Sequence, residues 1–262
     1  MPSTRLHPSL PDNDDAPKNE ENHTTYYGTL AYEDLWTAMG DYDMNDVMVD
    51  YNCKVYKQII GNKVYKIVDE FTPRHKGGVL HSGFGYQLHN IAPDDVRKIT
   101  VEADGLTSKY MEGQMLEPGQ SHPTIILFDD LSEALLGKTI KVTAELSDVS
   151  SANIVPPYNP FIFTHSEEGR GKEVHLPMYP PTDKADLSLF GTGRDGSRPE
   201  EEMYYVTAVW CNQYPYALNM IKVKDFPIPE EGVRIDVSYP KFRNWVESKG
   251  TEDKDWYKHP AQ

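Results

Sequence analysis

The chain has 262 residues, 41 of them acidic and 26 basic, for a formal net charge of −15. That excess disfavours nucleic-acid backbones and anionic membrane surfaces as partners, favours cations, and leaves neutral ligands open. Seventeen Tyr, twenty Pro and eighteen Gly read as many short strands joined by turns, and no apolar run approaches the roughly 20 residues of a membrane-spanning helix.

Residues 1–24 are polar, acidic and proline-rich, the composition of a flexible tail or linker. They hold no apolar core of the kind a secretory signal needs, so either a leader is removed before this segment or the protein is cytoplasmic. A first strand is predicted over Tyr26–Leu35.

Acids concentrate within Ala31–Asn52. Glu33 and Asp34 precede an apolar turn, then Asp41, Asp43, Asn45 and Asp46 stand just ahead of the alternating Val47, Val49 and Tyr51. Carboxylates this crowded repel one another and one tends to stay protonated; a bound hard cation removes that cost. The spacing Asp41, Asp43, Asn45 resembles the start of an oxygen-rich calcium loop, in which alternate side chains turn toward one ion. It is not an EF-hand: Asp46 stands where that loop has glycine, Asn52 where it has a bidentate Glu, and a strand follows instead of a helix. The expectation is a loop wrapping a calcium ion, with Glu33 or Asp34 arriving from the preceding strand as further ligands. A solvated turn using Asp and Asn for their turn chemistry is the plainer alternative.

Val47–Ile59 reads as a long second strand, Gly61-Asn62 as a tight turn, and Lys63–Phe71 as the returning partner of a hairpin. Residues 72–78 form a polar loop. Over Gly78–His89, apolar residues broken by glycines suit a strand that bends or passes close under another backbone. Val96–Ala103 and Pro123–Phe128 are two more strands around an excursion, Asp104–His122; Asp129-Asp130 opens a capped helical turn that ends at Gly137. Ile140–Leu146 alternates cleanly. Prolines delay the next strand to Phe161, and Glu173–Pro177 is short. Tyr204–Trp210 is the strongest late strand, Tyr214–Met220 and Val233–Val237 add two, and Pro240–Glu247 is a short helix with Phe242, Trp245 and Val246 on one face and Gly250 as its stop. Strands following strands without helical crossovers predict a mainly β protein. The fold class is an antiparallel β-sandwich, jelly-roll-like, with one or two short helices and a single domain over residues 25–262.

Gly191, Gly193 and Gly196 match GxGxxG, but no helix follows, so a plain loop is expected rather than a phosphate cradle. The nine histidines include no HExxH, and two cysteines offer no zinc spacing. Cys53 and Cys211 are as consistent with two buried thiols as with one bridge. His175 is expected to be a half-buried sheet residue. Ser82 in LHSGFG is the nearest approach to a nucleophile elbow and does not match it, and a triad assembled from scattered side chains leaves no sequence trace. Asp129, Asp130 and Asp195 suit caps and loops. Tyr158, Tyr179, Trp210, Tyr214 and Tyr216 could line a sugar-binding face, though in such a sandwich most pack against the sheet.

YEDLW followed by GDYDMNDVMVDY resembles the opening signature of the LruC-type domain, a domain of largely unknown function found in exported bacterial proteins of Bacteroides-like organisms. NPFIF at Asn159–Phe163, EVHLPMYPPTDKAD at Glu173–Asp186, Phe190–Thr192 and the closing FRNWVESKGTEDKDWY are similar to that family's later motifs in the same order. The resemblance spans about Leu30 to Tyr257, with Met44 where the family's acidic loop has Phe. It implies an exported, β-rich, ion-binding module at the periplasm, outer-membrane surface or outside the cell, and no known reaction. It also places Asp183 in a family motif, where fixed by prolines it is the distal acid to complete the ion site, with an Asx-type turn as its other reading. The function expected is non-catalytic attachment or recognition of a glycan or surface protein. A glycan-active hydrolase with paired carboxylates and a purely structural domain are the alternatives.

Overall fold

The computed structural model describes residues 18–102, 108–166, 169–208 and 214–261. Among the described residues, ten strands form two antiparallel sheets. They are β1 (Lys18–Tyr32), β2 (Val47–Gln58), β3 (Lys63–Lys76), β4 (Ser82–Gln87), β5 (Val96–Glu102), β6 (Thr124–Phe128), β7 (Ile140–Ser150), β8 (Asn159–Ser166), β9 (Gly169–His175) and β10 (Ala217–Ile221). One sheet runs β10-β1-β2-β3-β7-β5 and the other β6-β4-β8-β9. The sandwich expected from the alternation is the fold observed. The described residues include two α-helices, both short: α1 (Ile235–Ser238) and α2 (Phe242–Glu247).

Period-two alternation on β1 and β2 feeds two cores at once. Leu30, Tyr32, Val47 and Val49 enter the core between the sheets, where Phe71, Phe84, Tyr86 and Phe128 also pack. Ala31 and Met48 point the other way, into a second core on the outer face of the six-stranded sheet. Leu218 and Met220 of β10 join them there. Phe226, Ile235, Tyr239, Phe242, Val246 and Trp256 cover this face, so residues 226–261 form a cap over β1, β2 and β10. Burial on both faces explains why Val47, Met48 and Val49 are all apolar.

Several boundaries differ from expectation, each for a local reason. The tail expected over residues 1–24 lies outside the described residues as far as residue 17, while 18–24 already belong to β1. β3 continues through Pro73, which pairs with Val49 beside a register shift at Met48/Val49, so the residues expected as a loop extend the ladder. β8 starts at Asn159 because Pro160 lies beyond Phe161↔His175, where the pairing with β9 ends, and its missing N–H costs no bond on that side. The late strand expected at Tyr204–Trp210 is instead a run of isolated bridges, Arg198↔Met203, Val206↔Pro215 and Asp195↔Thr207. Glu202 and Tyr205 there adopt left-handed backbone, with φ of 54° and 55°, which interrupts extended pairing. Residues 209–210 of that run lie outside the described residues. Val233–Val237, also expected as a strand, turns into α1 as Ile235 drops into the cap's core. Gly250, with φ of 76°, donates its N–H to Trp245 O at 2.8 Å and ends α2 as anticipated.

The glycines of β4 carry aromatic rings. Gly83 pairs across strands with Phe163 and Gly85 with Phe161, and a Cβ on Gly83 would collide with the Phe163 ring. The close neighbour at Gly83 is therefore a side chain, whereas a Cβ on Gly85 would sit 2.7 Å from the backbone oxygen of Ile125. Replacing Gly83 with Ala is expected to cost about 1 to 3 kcal/mol in urea unfolding, because Phe163 must leave its place in a packed layer. An unchanged midpoint would show that the ring moves freely.

Candidate metal centre

Glu33 and Asp34 leave the end of β1 with their backbones tied down: Glu33 N–H donates to Tyr216 O at 3.0 Å, and Asp34 N–H to the Asp46 carboxylate at 2.8 Å. The chain then turns back through Gly40, Tyr42 and Met44, all left-handed, with φ of 61°, 60° and 62°. Left-handed backbone at Tyr and Met costs energy that only the surroundings can offset. The sequence D-Y-D-M-N-D shows what offsets it. Tyr42 and Met44 sink into the cap's core, Tyr42 against Tyr214 and Phe242, while Asp41, Asp43 and Asn45 belong to the polar side.

One oxygen from each of Glu33, Asp41 and Asp43 lies within 4.8 Å of the other two. Oxygens at calcium distance from one ion stand at most about 5 Å apart, so the three fit a shared ion. Glu33 is fully buried; its Oε1 accepts the Met44 N–H at 2.6 Å, and its Oε2 is buried with no partner. A Cβ at Gly40 would sit 2.9 Å from that Oε2, which adds a steric need for glycine to the conformational one. Asp43 accepts the N–H of Asn45 at 3.2 Å and of Gly232 at 2.8 Å. Asn45 donates its Nδ2 to Pro229 O at 3.1 Å, leaving a buried Oδ1 without a partner.

Asp34 and Asp46 form an adjoining pair above Gly77-Gly78. A Cβ on Gly78 would collide with Asp34 Oδ2 and lie 2.9 Å from Asp46 Oδ1, and Gly77 N–H donates to Asp46 O at 3.0 Å. Ser82 Oγ approaches Asp34 Oδ2 at 3.5 Å. Four of these carboxyls are held above their ordinary range. Burial raises Glu33, with the charges of Asp46, Asp43 and Asp41 adding to it. Burial likewise raises Asp34 and Asp43. Asp46 is pushed up to about 7 by burial and by Asp34. The loop thus gathers four acids whose carboxyls are raised by burial and by neighbouring charge, with the exposed Asp41 beside them, and it holds two buried oxygens without a partner, Glu33 Oε2 and the amide oxygen of Asn45.

Of the seven residues read from the sequence as ligands, Glu33, Asp41 and Asp43 bring one oxygen each together, Asp41 being exposed; Asp34 and Asp46 pair with each other beside them, and Asn45 turns toward Gly77 and Pro229. Asp183 lies elsewhere. Its carboxylate accepts the Ser121 N–H at 2.5 Å and the Ser121 hydroxyl at 2.7 Å, which hold it below the usual carboxylate range. Ser121 leads into Thr124, paired with Gln87 at one end of β4, whereas Asp34 sits by Ser82 at the other. Five strand steps, about 16 Å, separate the two ends. An acid outside the sequence-read set, the exposed Glu231, comes close to the Asn45 side of the loop without joining the converging triad: its Oε2 lies 3.1 Å from where a Cβ on Gly77 would stand, a point that Asn45 Oδ1 also crowds. Its position, 185 residues after Asp46, gives no sequence signal linking it to the loop.

The remaining candidates resolve into packing. His175 is fully buried rather than half-buried, with Nδ1 2.7 Å from Asn159 Oδ1 and Nε2 2.9 Å from Glu173 Oε2, stacked between Phe161 and Tyr205. Tyr158, Tyr214 and Tyr216 are buried, and Tyr179 packs on His89; Trp210 lies outside the described residues. Gly191–Gly196 is a loop knit by Asp195, which accepts the Gly191 N–H at 2.8 Å and the Ser197 hydroxyl at 2.8 Å. Asp129 accepts the Lys109 N–H and Asp130 pairs with His81. Cys53 is a buried thiol, and Cys211 lies outside the described residues. No helix of the described residues is long and apolar enough to cross a membrane.

A family model described as "Domain of unknown function (DUF4842)" matches residues 62–257, a span that begins after the acidic loop and includes all but the last four residues of the cap. No match was found among curated proteins. Among solved structures, one named "Putative lipoprotein from Bacteroides ovatus" is similar, with a TM-score of 0.63 at 18% identity, covering 100% of this chain and 79% of the other. At that identity the likeness is one of fold.

Proposed function

Since the chain belongs to the domain-of-unknown-function family DUF4842, we propose its role from its own side chains: a non-catalytic β-sandwich module braced by calcium at the acidic loop. Within that reading it is an LruC-type, exported module serving attachment or recognition of a glycan or a surface protein. The observation that carries it is the convergence of Glu33, Asp41 and Asp43 oxygens within 4.8 Å, beside the buried, unpartnered Oε2 of Glu33. Calcium is the cation favoured because every donor is oxygen, the donors include an amide as well as carboxylates, and the loop is irregular enough for a large, flexible shell. Burial of Glu33, Asp34 and Asp43, with Asp41 alone of the triad exposed, supports a structural ion over chemistry on a polymer, which needs a pair of carboxylates open to a cleft. The likeness in fold to a protein named a lipoprotein supports a place in the cell envelope.

Calorimetric titration of calcium into chelator-treated protein should give saturable binding, with magnesium weaker and Asp43→Asn abolishing the heat. Incubation with polysaccharides should release no reducing ends. Absence of calcium binding refutes the brace, and turnover of any glycan refutes the non-catalytic role.

A further inference from the structure

The acidic loop faces the cap as much as the sandwich. Its even residues, Tyr42 and Met44, are built into the cap's core, and its odd residues reach cap backbone: Gly232 N–H donates to Asp43 at 2.8 Å and Asn45 Nδ2 donates to Pro229 O at 3.1 Å. Ile235 N–H donates to Tyr42 O at 2.8 Å. No described strand ladder joins residues 226–261 to either sheet, so these bonds and the apolar packing beneath them hold the cap in place. At Gly77 three oxygens crowd one point: the buried, unpartnered Oδ1 of Asn45, the backbone oxygen of the same residue, and Oε2 of Glu231 from the cap. Gly232, the neighbour of Glu231 in the chain, donates its N–H to Asp43, so the two acids meet at the same loop–cap boundary.

We propose that the cation of the acidic loop is a latch for the C-terminal cap, with Glu231 as the ligand the cap itself contributes through the Asn45 side of the site. The inference rests on the cation reading above and adds to it a moving part. With the ion bound, Glu231 and the loop are drawn to one positive centre and the cap is seated. With the ion removed, like charges face each other across the loop–cap boundary, and Tyr42 and Met44 lose the geometry that fills the cap's core. Release would uncover Ala31, Met48, Leu218 and Met220 on the outer face of the six-stranded sheet. Cation level would then decide whether that apolar face is available.

Hydrogen exchange on the full chain, in calcium and in chelator, tests this, with calorimetry run on the same samples. Amides of residues 235–250 should exchange about tenfold or more faster in chelator, while β3 and β4 change little, as expected for opening of a local unit. Fluorescence of Trp245 and Trp256 should report the same change. Glu231→Gln should still bind calcium, about tenfold more weakly, as expected for the loss of one charged ligand, and should show a smaller calcium effect on cap exchange. If calcium binds but cap and sandwich respond alike, or if Glu231→Gln binds as wild type, the latch is overturned and the brace stands. If no calcium binds, both readings fall.

Discussion

In excess calcium the protein should melt about 5 to 10 °C above its midpoint in excess chelator. A site filled at a hundred times its dissociation constant stabilises the folded state by about 2.7 kcal/mol. For a domain of 150 to 250 residues each kcal/mol moves the midpoint by about 2 to 4 °C. On the proposed reading an ion would gain this much because the folded chain has already brought Glu33, Asp41 and Asp43 together, so the ion would meet a prepared shell. Asp43→Ala should erase the response, since Asp43 is both a donor of the triad and the acceptor for Gly232. Circular dichroism would establish that this variant keeps its sheets. Asp183→Ala should leave the response intact, because Asp183 is engaged by Ser121 at the far end of β4. Identical melting in calcium and chelator would remove the structural role of the ion, and a response lost in Asp183→Ala would overturn the assignment of its carboxylate to Ser121 alone.

Stability should also fall as pH rises from about 4 to 7, through a residue far from the loop. Asp69 of β3 is fully buried between the sheets, where its carboxyl accepts the Tyr86 hydroxyl at 3.1 Å and the Tyr158 hydroxyl at 3.0 Å. Burial pushes it up to about 7, although hydrogen bonds from Cys53, Tyr158 and Tyr86 work in the opposite direction. The unfolded carboxyl releases its proton near the ordinary 3.8, the folded one near 7. Between those values the folded state holds the extra proton. The contribution is therefore fully present below about pH 4 and lost by about pH 7, a swing on the order of 4 kcal/mol. Asp69→Asn, which cannot ionise, should flatten the profile by that swing. At low pH the two proteins should differ by no more than about 1 kcal/mol, because the amide, like the protonated carboxyl, presents one acceptor and one donor edge to the hydroxyls of Tyr158 and Tyr86. Denaturant unfolding at pH 4.5 and pH 8 measures both effects. Equal slopes for the two proteins would show that Asp69 is ionised throughout.

The acidic loop was legible because charge density is a local property: six oxygen-bearing residues between Glu33 and Asp46 need no distant information to be suspicious. Asp183 misled because a proline-fixed acid in a motif says nothing about which end of a strand it will occupy. The reading of Tyr204–Trp210 as a strand weighed an apolar, aromatic run and could not weigh the left-handed backbone at Tyr205, which the packing around it imposes. Gly83 and Gly85 signalled a close approach, and the sequence could not say that at Gly83 an aromatic ring makes it. Alternation in KVYKIVDEF puts Asp69 on the face of Ile67 and Phe71, but nothing local says what would satisfy an acid there until the second sheet is laid over it with Tyr86 and Tyr158 aimed at its oxygens.

By itself, then, the order of residues determined what nearest neighbours and short periods control: alternation that makes strands, the Gly61-Asn62 hairpin turn, the short helix stopped by Gly250, and a loop whose odd positions carry oxygen and even positions carry apolar bulk. Only the tertiary structure decided what faces what. It set Glu231 beside Asn45, put the cap on the outer face of the six-stranded sheet, and buried Asp69 between the layers. A period of two tells which face of a strand is covered but carries no information about the partner that covers it, and charges distant in sequence interact only after folding removes the water between them.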